Sequence, residues 1–201
     1  MSLIAKFFWI KQLGLLNGVA IILAIYIHEY GHYFMASSLG YNPSKPKLIP
    51  FLGGFVKHDP INNDKDIFKI AFAGPLMGGI LGILFVYIDL IFKSLFFHQL
   101  AFYSLFINAI NLAPISFLDG GKIFQTLSSK KYISVIINII AIIIGLAKQF
   151  YLLSIIGLLG IFFSSKNKET IKMEEKDKKF GYFVYIVFII LLLIHFAILK
   201  K

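Results

Sequence analysis

Long apolar segments separated by short polar connections make up most of this chain and limit what it can fold into. Hydrophobic residues account for 58% of its 201 residues, whereas a soluble domain is usually about 45–50% apolar. The longest polar stretches, residues 40–66 and 164–179, are too short to fold alone. We therefore predict an all-α, polytopic membrane protein that forms a single integral-membrane domain over residues 1–201.

Six segments are candidates for membrane-spanning helices. A helix rises 1.5 Å per residue, so about 20 residues cross a hydrocarbon core of about 30 Å. The predicted spans cover residues 12–39, 67–92, 95–111, 132–147, 150–163 and 180–199. One long tilted helix is the alternative to the fourth and fifth spans. Residues 1–11 are mildly basic and rich in aromatic side chains, and we expect them to lie in the membrane interface.

The charge pattern predicts how the chain is oriented. All 20 basic residues are lysines, and with ten acidic residues they give a net charge of +10. A nucleic-acid interface would cluster these charges, whereas here they lie between apolar segments, so we expect no nucleic-acid partner. Thirteen lysines follow spans one, three and five, and six lie on the opposite side.

This count predicts a multi-pass protein of the cell membrane. The positive-inside rule places its N-terminus outside and the C-terminal end of the first span towards the cytoplasm. Lys6 and Lys11, beside the first span, argue for the opposite orientation. We follow the larger count.

The segment HEYGH places two imidazoles and a carboxylate inside the first span. Ionisable groups within membrane helices are rare and usually functional. On a helix, His28 and His32 project from one face one turn apart, which suits two ligands of one zinc ion. Glu29 is rotated away from that pair, so its carboxylate can reach a water molecule on the metal. A chance match on a buried helix is the alternative interpretation.

The segment NLAPISFLDGG supplies a second group of chemically informative residues. Pro114 removes a backbone donor from the carbonyl of Ile110, so the third span should break within the membrane. The side-chain amide of Asn111 can satisfy part of the freed backbone. Asp119 follows the break and can complete a His2Asp zinc site with one position open for water. Alternatively, Asp119 is only the N-cap of a short helix that ends at Leu127.

Small residues recur every four positions in the second span, at Gly74, Gly78 and Gly82. Such a face lets helix backbones approach closely, and we expect it to pack on the first span through Gly31. Pro75 can kink the second span because it lacks a backbone donor. Helix packing without any substrate contact is the alternative role for this face.

The polar connection between the first two spans contains LIPFLGGFV, with strand-forming residues around Gly53 and Gly54. We predict a small membrane-associated β-hairpin here. It is either an ordinary connection or an edge that pairs with the backbone of an unwound substrate, which is β-augmentation. His58, His98 and His195 lie outside the motifs, and we do not assign them to the site.

These residues resemble the site-2 proteases, which are intramembrane zinc metalloproteases of regulated proteolysis. The resemblance rests on two motifs, HExxH at His28, Glu29 and His32, and NxxPxxxxDG at Asn111, Pro114, Asp119 and Gly120. The AGP segment at 73–75 and the GGFV segment at 53–56 also look like family features. The resemblance covers roughly residues 13–127, so we take 12–127 as the core of a protease domain and 132–199 as accessory helices.

The resemblance implies that His28, His32 and Asp119 are the ligands of one zinc ion per chain, with Glu29 as the general base. It also implies that other motif residues support the active site or the substrate, namely Asn111, Pro114, Gly120, Gly74, Pro75, Gly53 and Gly54. Gly78 stands where an Asn is common among relatives, which leaves no side chain there to clamp a substrate. We expect no PDZ or CBS module.

The function implied is hydrolysis of peptide bonds within or near the transmembrane segments of single-pass membrane proteins. Expected partners are that substrate, membrane lipid and a regulatory membrane protein. A membrane transporter for zinc or another ion is one alternative, although transport usually needs polar sites along a pathway and these ligands form one cluster. A catalytically silent zinc-binding scaffold is the other, and Glu29 beside an open metal position argues against it.

Overall fold

The structure, a computed structural model, describes residues 13–49, 53–128, 131–147, 149, 151–164 and 170–199. In this part of the chain it has seven helices and a two-stranded hairpin. In chain order they are α1 (Leu15–Ser38), β1 (Lys47–Ile49), β2 (Gly53–Phe55), α2 (Asp64–Phe92), α3 (Leu95–Asn111), α4 (Asp119–Leu127), α5 (Lys131–Ala147), α6 (Tyr151–Ser164) and α7 (Glu175–Leu199). The predicted helical fold with a small hairpin is confirmed, whereas the interfacial segment predicted at 1–11 lies outside the described residues.

Three described helices are long and apolar enough to cross a membrane, namely α1, α2 and α7. Two further apolar helices are shorter and lie within α5 and α6. Helix α3 has 17 residues, which corresponds to a length of about 26 Å. The length and apolar character of these helices identify the chain as a membrane protein. That it crosses the membrane six times stays a prediction. Because α5 ends at Ala147 and α6 begins at Tyr151, one continuous helix does not form there.

The chain forms two compact units, and α2 and α7 each contribute residues to both. The first unit combines the chain up to Pro60 with residues 73–109 and those from Ile186 onward. Its core includes Ala20 and Ala24 of α1 packed with Leu100 of α3. A second cluster places Leu48 of strand β1 against α1. The hairpin is thus anchored to the helix that carries HEYGH.

Glycines set how closely the helices of the first unit approach one another. A methyl group at Gly31 of α1 would lie 2.8 Å from the Cα atom of Gly74 in α2, so the two backbones are in contact at this point. The predicted packing of α2 on α1 is confirmed at this crossing. Gly78 and Gly82 instead face α3, because a methyl group at either would meet side chains of that helix. Helix α2 continues through Pro75.

The second unit, residues 61–72 and 110–185, contains the antiparallel pair α5 and α6. A buried polar network connects α5 to the segment that follows α3. Ser116 Oγ lies 2.7 Å from Ser134 Oγ, and Asn138 Nδ2 donates to Ser116 Oγ over 3.0 Å. Asn138 is fully buried, and α6 passes beside it at Gly160. The network therefore holds the 112–118 segment against α5.

We predict that Gly160→Ala destabilises the protein. Its methyl group would lie 2.8 Å from Asn138 Cγ, which is closer than carbon atoms pack, so either α6 or the network must move. Overpacking of this kind costs about 1–3 kcal/mol. Thermal unfolding in detergent measures the loss, with Leu158→Ala at an exposed position of the same helix as the control. Equal stability of Gly160→Ala and wild type would contradict the close packing of α5 and α6.

Candidate metal centre and active site

The two histidines of HEYGH lie side by side on the buried face of α1. His28 and His32 are 3% and 9% exposed, and their Nε2 atoms are 3.1 Å apart. Two nitrogen ligands of a tetrahedral zinc ion, each with a bond of about 2.0–2.1 Å, are separated by about 3.3 Å. The observed distance is close to this value, so the pair fits two ligands of one zinc ion.

The hydrogen bond on the far side of His28 sets its tautomer. His28 Nδ1 lies 2.8 Å from Oδ1 of Asn108, and an amide oxygen can only accept a hydrogen bond. Nδ1 therefore carries the hydrogen, and Nε2 presents its lone pair towards His32, as metal binding requires. Neither sequence motif includes Asn108. Its signal in the sequence is a polar residue one turn after Ser104 in a mostly apolar helix.

Helix α2 borders the ring of His32 at Gly74. A methyl group at Gly74 would overlap the His32 imidazole, so the ring keeps its place only because position 74 has no side chain. The next residue, Pro75, is fully buried in the same helix. The structure thus places both predicted support residues of α2 in or beside the site, while their action on a substrate stays a prediction.

The carboxylate of Glu29 lies beneath strand β2. Glu29 is 6% exposed, and a methyl group at Gly54 would lie 2.5 Å from its Cγ atom. Gly53 has a φ of 91°, which side-chain-bearing residues rarely adopt. Both glycines predicted at the site are therefore required locally, Gly53 by its backbone and Gly54 by the space that Glu29 occupies.

Asp119 belongs to the second unit and opens helix α4. It is 5% exposed, and Lys122 Nζ donates to its Oδ1 over 3.0 Å. Leu118 is the N-cap of α4, with no side-chain capping bond, so Asp119 is the first helical residue rather than the cap. The alternative role for Asp119 as a simple N-cap is wrong, although α4 does end at Leu127 as predicted.

Helix α3 ends at the predicted residue, and a break of the helix within the membrane stays a prediction. Helix α3 ends at Asn111, three residues before Pro114. The carbonyl of Ile110 receives a hydrogen bond from the backbone N–H of Ala113 over 2.9 Å, so the turn itself satisfies this acceptor. A methyl group at Gly120 would overlap the carbonyls of residues 112 and 113, which explains the glycine there.

The predicted site residues are thus distributed over both units. The first unit brings together His28, Glu29 and His32 with two of the predicted glycines, Gly54 and Gly74. Asn111, Pro114, Asp119 and Gly120 lie in the second unit. That Asp119 binds the same metal ion as the histidines stays a prediction.

Comparison with known families identifies the class of protein. The model of peptidase family M50 matches residues 18–95 and 91–152, which is more than half of the chain and includes both motifs. The chain belongs to peptidase family M50, the family of the site-2 proteases. Its fold is also that of a solved structure, the site-2 protease from Methanocaldococcus jannaschii, with a TM-score of 0.59 and 22% identity over 85% of this chain and 91% of that one.

Curated relatives agree with this assignment. The chain is 25% identical over 172 residues to zinc metalloprotease MJ0392 of Methanocaldococcus jannaschii, which covers 78% of this chain and 50% of that protein. It is 35% identical over 136 residues to stage IV sporulation protein FB of Bacillus subtilis, covering 62% of this chain and 46% of that protein. The chain therefore spans about half the length of these relatives. Membership of a zinc metalloprotease family implies Zn²⁺ as the cofactor.

We predict that Gly74→Ala weakens zinc binding about 10–100-fold, the usual effect of disturbing a group that orients a ligand. The methyl group would push the His32 ring away from His28. Competition with a chromogenic chelator on detergent-purified protein measures the affinity. The control is Ile80→Ala at an exposed position of the same helix. If Gly74→Ala binds zinc as tightly as wild type, position 74 does not hold the His32 ring.

Proposed function

We propose that this chain is an intramembrane zinc metalloendopeptidase that hydrolyses peptide bonds within or near the transmembrane segments of membrane proteins. The observation that carries the proposal is the buried pair of His28 and His32 beside Glu29, on a helix long enough to cross a membrane. Ionisable side chains inside a membrane helix are costly, so those that are present are usually functional. Membership of family M50 supports the same activity.

The third zinc ligand in this proposal is Asp119, with one zinc ion per chain. Each of His28, His32 and Asp119 offers one atom that could hold a metal ion. Three protein ligands leave one tetrahedral position open, as catalytic zinc sites require. The burial of Asp119, which is 5% exposed, supports this role, because a carboxylate oxygen held inside the protein is a common zinc ligand.

Each group of the proposed site would have its own role in the reaction. A zinc ion held by this set would supply Lewis-acid activation of a water molecule and of the scissile carbonyl. Glu29 would take the proton from the attacking water and deliver it to the nitrogen of the leaving amine as the C–N bond breaks. Asn111, Pro114 and Gly120 would hold the irregular segment from which Asp119 begins α4.

The substrate in this proposal is a single-pass membrane protein. A transmembrane helix hides its peptide bonds in hydrogen bonds and hydrocarbon, so the scissile segment must unwind before it reacts. Strand β2 contacts α1, and Gly54 lies beside Glu29, so a peptide paired with the hairpin would lie near the proton acceptor. Membrane lipid and a regulatory membrane protein complete the proposed partners.

The first test compares zinc content and cleavage in matched variants. Glu29→Gln should keep about one zinc per chain and lose cleavage by about 10²–10⁴-fold or more, because it keeps the shape of the side chain but cannot accept a proton. His28→Ala and Asp119→Ala should lose both. The measurements are metal analysis of folded, detergent-purified protein and cleavage of a panel of transmembrane segments in proteoliposomes. Turnover by Glu29→Gln at the wild-type rate would refute the assigned base.

The same preparations separate the two other functions. Zinc flux into proteoliposomes without cleavage would favour a transporter. Bound zinc without either activity, and with no effect of Glu29→Gln in the cell, would favour a scaffold. A folded Asp119→Ala variant that keeps its zinc would remove the third ligand from the proposal.

A second test concerns orientation, for which we propose a multi-pass protein of the cell membrane with the active site towards the cytoplasm. The lysine distribution supports this arrangement. With six spans both termini should lie outside the cytoplasm. Reporter fusions that are active only on one side of the membrane, placed at each terminus and in the connection at 166–169, measure it. A cytoplasmic reporter signal from either terminus would contradict this topology.

A further inference from the structure

Asn108 is a fully buried amide in the apolar helix α3, and both ends of its side chain are used. Its Oδ1 accepts the hydrogen bond from His28 Nδ1 at 2.8 Å. Its Nδ2 donates to the backbone carbonyl of Ser104, one turn earlier, at 2.6 Å. The second bond fixes which end of the amide faces His28, because a rotated amide would place two acceptors, Oδ1 and the carbonyl oxygen of Ser104, against each other.

Position 78 of α2 provides the space for this amide. A methyl group at Gly78 would lie 2.7 Å from Oδ1 and 2.8 Å from Cγ of Asn108, so no side chain at 78 is compatible with the observed position of Asn108. Gly78 therefore does more than allow α2 and α3 to approach. It leaves a pocket of the size of one amide group next to His28.

We propose that Asn108 is a positioning residue that fixes the ring orientation and the tautomer of His28, and that Gly78 is the residue that makes room for it. The inference rests on the proposed zinc site. A neutral imidazole can carry its hydrogen on either nitrogen, and only the tautomer with the hydrogen on Nδ1 leaves Nε2 free to bind metal. Asn108 stabilises that tautomer before the metal binds and keeps the ring from rotating away from His32.

Zinc affinity tests the proposal without any substrate. Asn108→Ala should bind zinc about 10–100-fold more weakly than wild type, as measured by competition with a chelator. The control is Leu105→Ala, which also truncates a fully buried residue of α3 and whose side chain lies beside Gly82 of α2. It should lower thermal stability and leave zinc affinity within about twofold of wild type, because that effect is on packing alone.

The tautomer itself provides a second readout that a purely structural role would not change. Nitrogen NMR of the zinc-free protein, with labelled histidine, should show His28 with its hydrogen on Nδ1 in wild type and in Leu105→Ala. In Asn108→Ala the same ring should show a mixture of tautomers. Because this measurement needs no metal, it stays informative for a variant that has lost zinc.

Rescue from the neighbouring helix is the sharpest test. In the double variant Gly78→Asn, Asn108→Ala, an amide from α2 enters the space that Asn108 leaves, and zinc affinity should recover by at least about tenfold relative to Asn108→Ala. Gly78→Asn alone should weaken zinc binding, because two amides then compete for one space.

The two proposals fail in different ways. If wild type binds no zinc, the proposed function fails. If wild type binds zinc and Asn108→Ala binds it equally well, or if Leu105→Ala weakens zinc binding as much as Asn108→Ala does, the proposed role of Asn108 is overturned while the zinc site stands.

Discussion

The need to hydrogen-bond buried polar groups within the protein governs how this chain places its functional residues. An unpaired polar group buried among apolar helices costs roughly 1–3 kcal/mol, and an unpaired charge costs more. The structure meets this need locally, with Asn108 on His28, Lys122 on Asp119 and Asn138 on the segment that leads to Asp119. These hydrogen bonds fix the orientation of the same groups that chemistry would use.

Glycines provide the space for these polar contacts, because each contact lies between closely packed backbones. At Gly74, Gly54 and Gly78 the missing side chain is replaced by a functional group of a neighbouring element, namely the ring of His32, the carboxylate of Glu29 and the amide of Asn108. A pattern of small residues is usually explained by helix packing alone. Here the same glycines serve both helix packing and the site. Where two helices approach closely, the backbone of one lies next to the functional side chains of the other.

Much of the fold follows from the sequence because membrane helices are defined by the length and polarity of a segment. The predicted ends of α3 agree with the structure, since Pro114 stops the helix at a defined distance, and the hairpin around Gly53 was also predicted correctly. The partner of each glycine was not predictable, because a small-residue face does not specify which helix covers it. Asn108 was missed because its partner is 80 positions away in the sequence, and the residue lies outside both sequence motifs.

The choice of an amide rather than a carboxylate beside His28 is consistent with the electrostatics of an apolar interior. The proposed centre already brings together several charges, those of Zn²⁺, the Asp119 and Glu29 carboxylates and the Lys122 ammonium that donates to Asp119. A carboxylate at position 108 would orient His28 equally well but would bury one further charge, whose removal from water is costly. A neutral acceptor therefore orients the ligand without adding a charge, and the glycine at position 78 is what allows α3 to supply it.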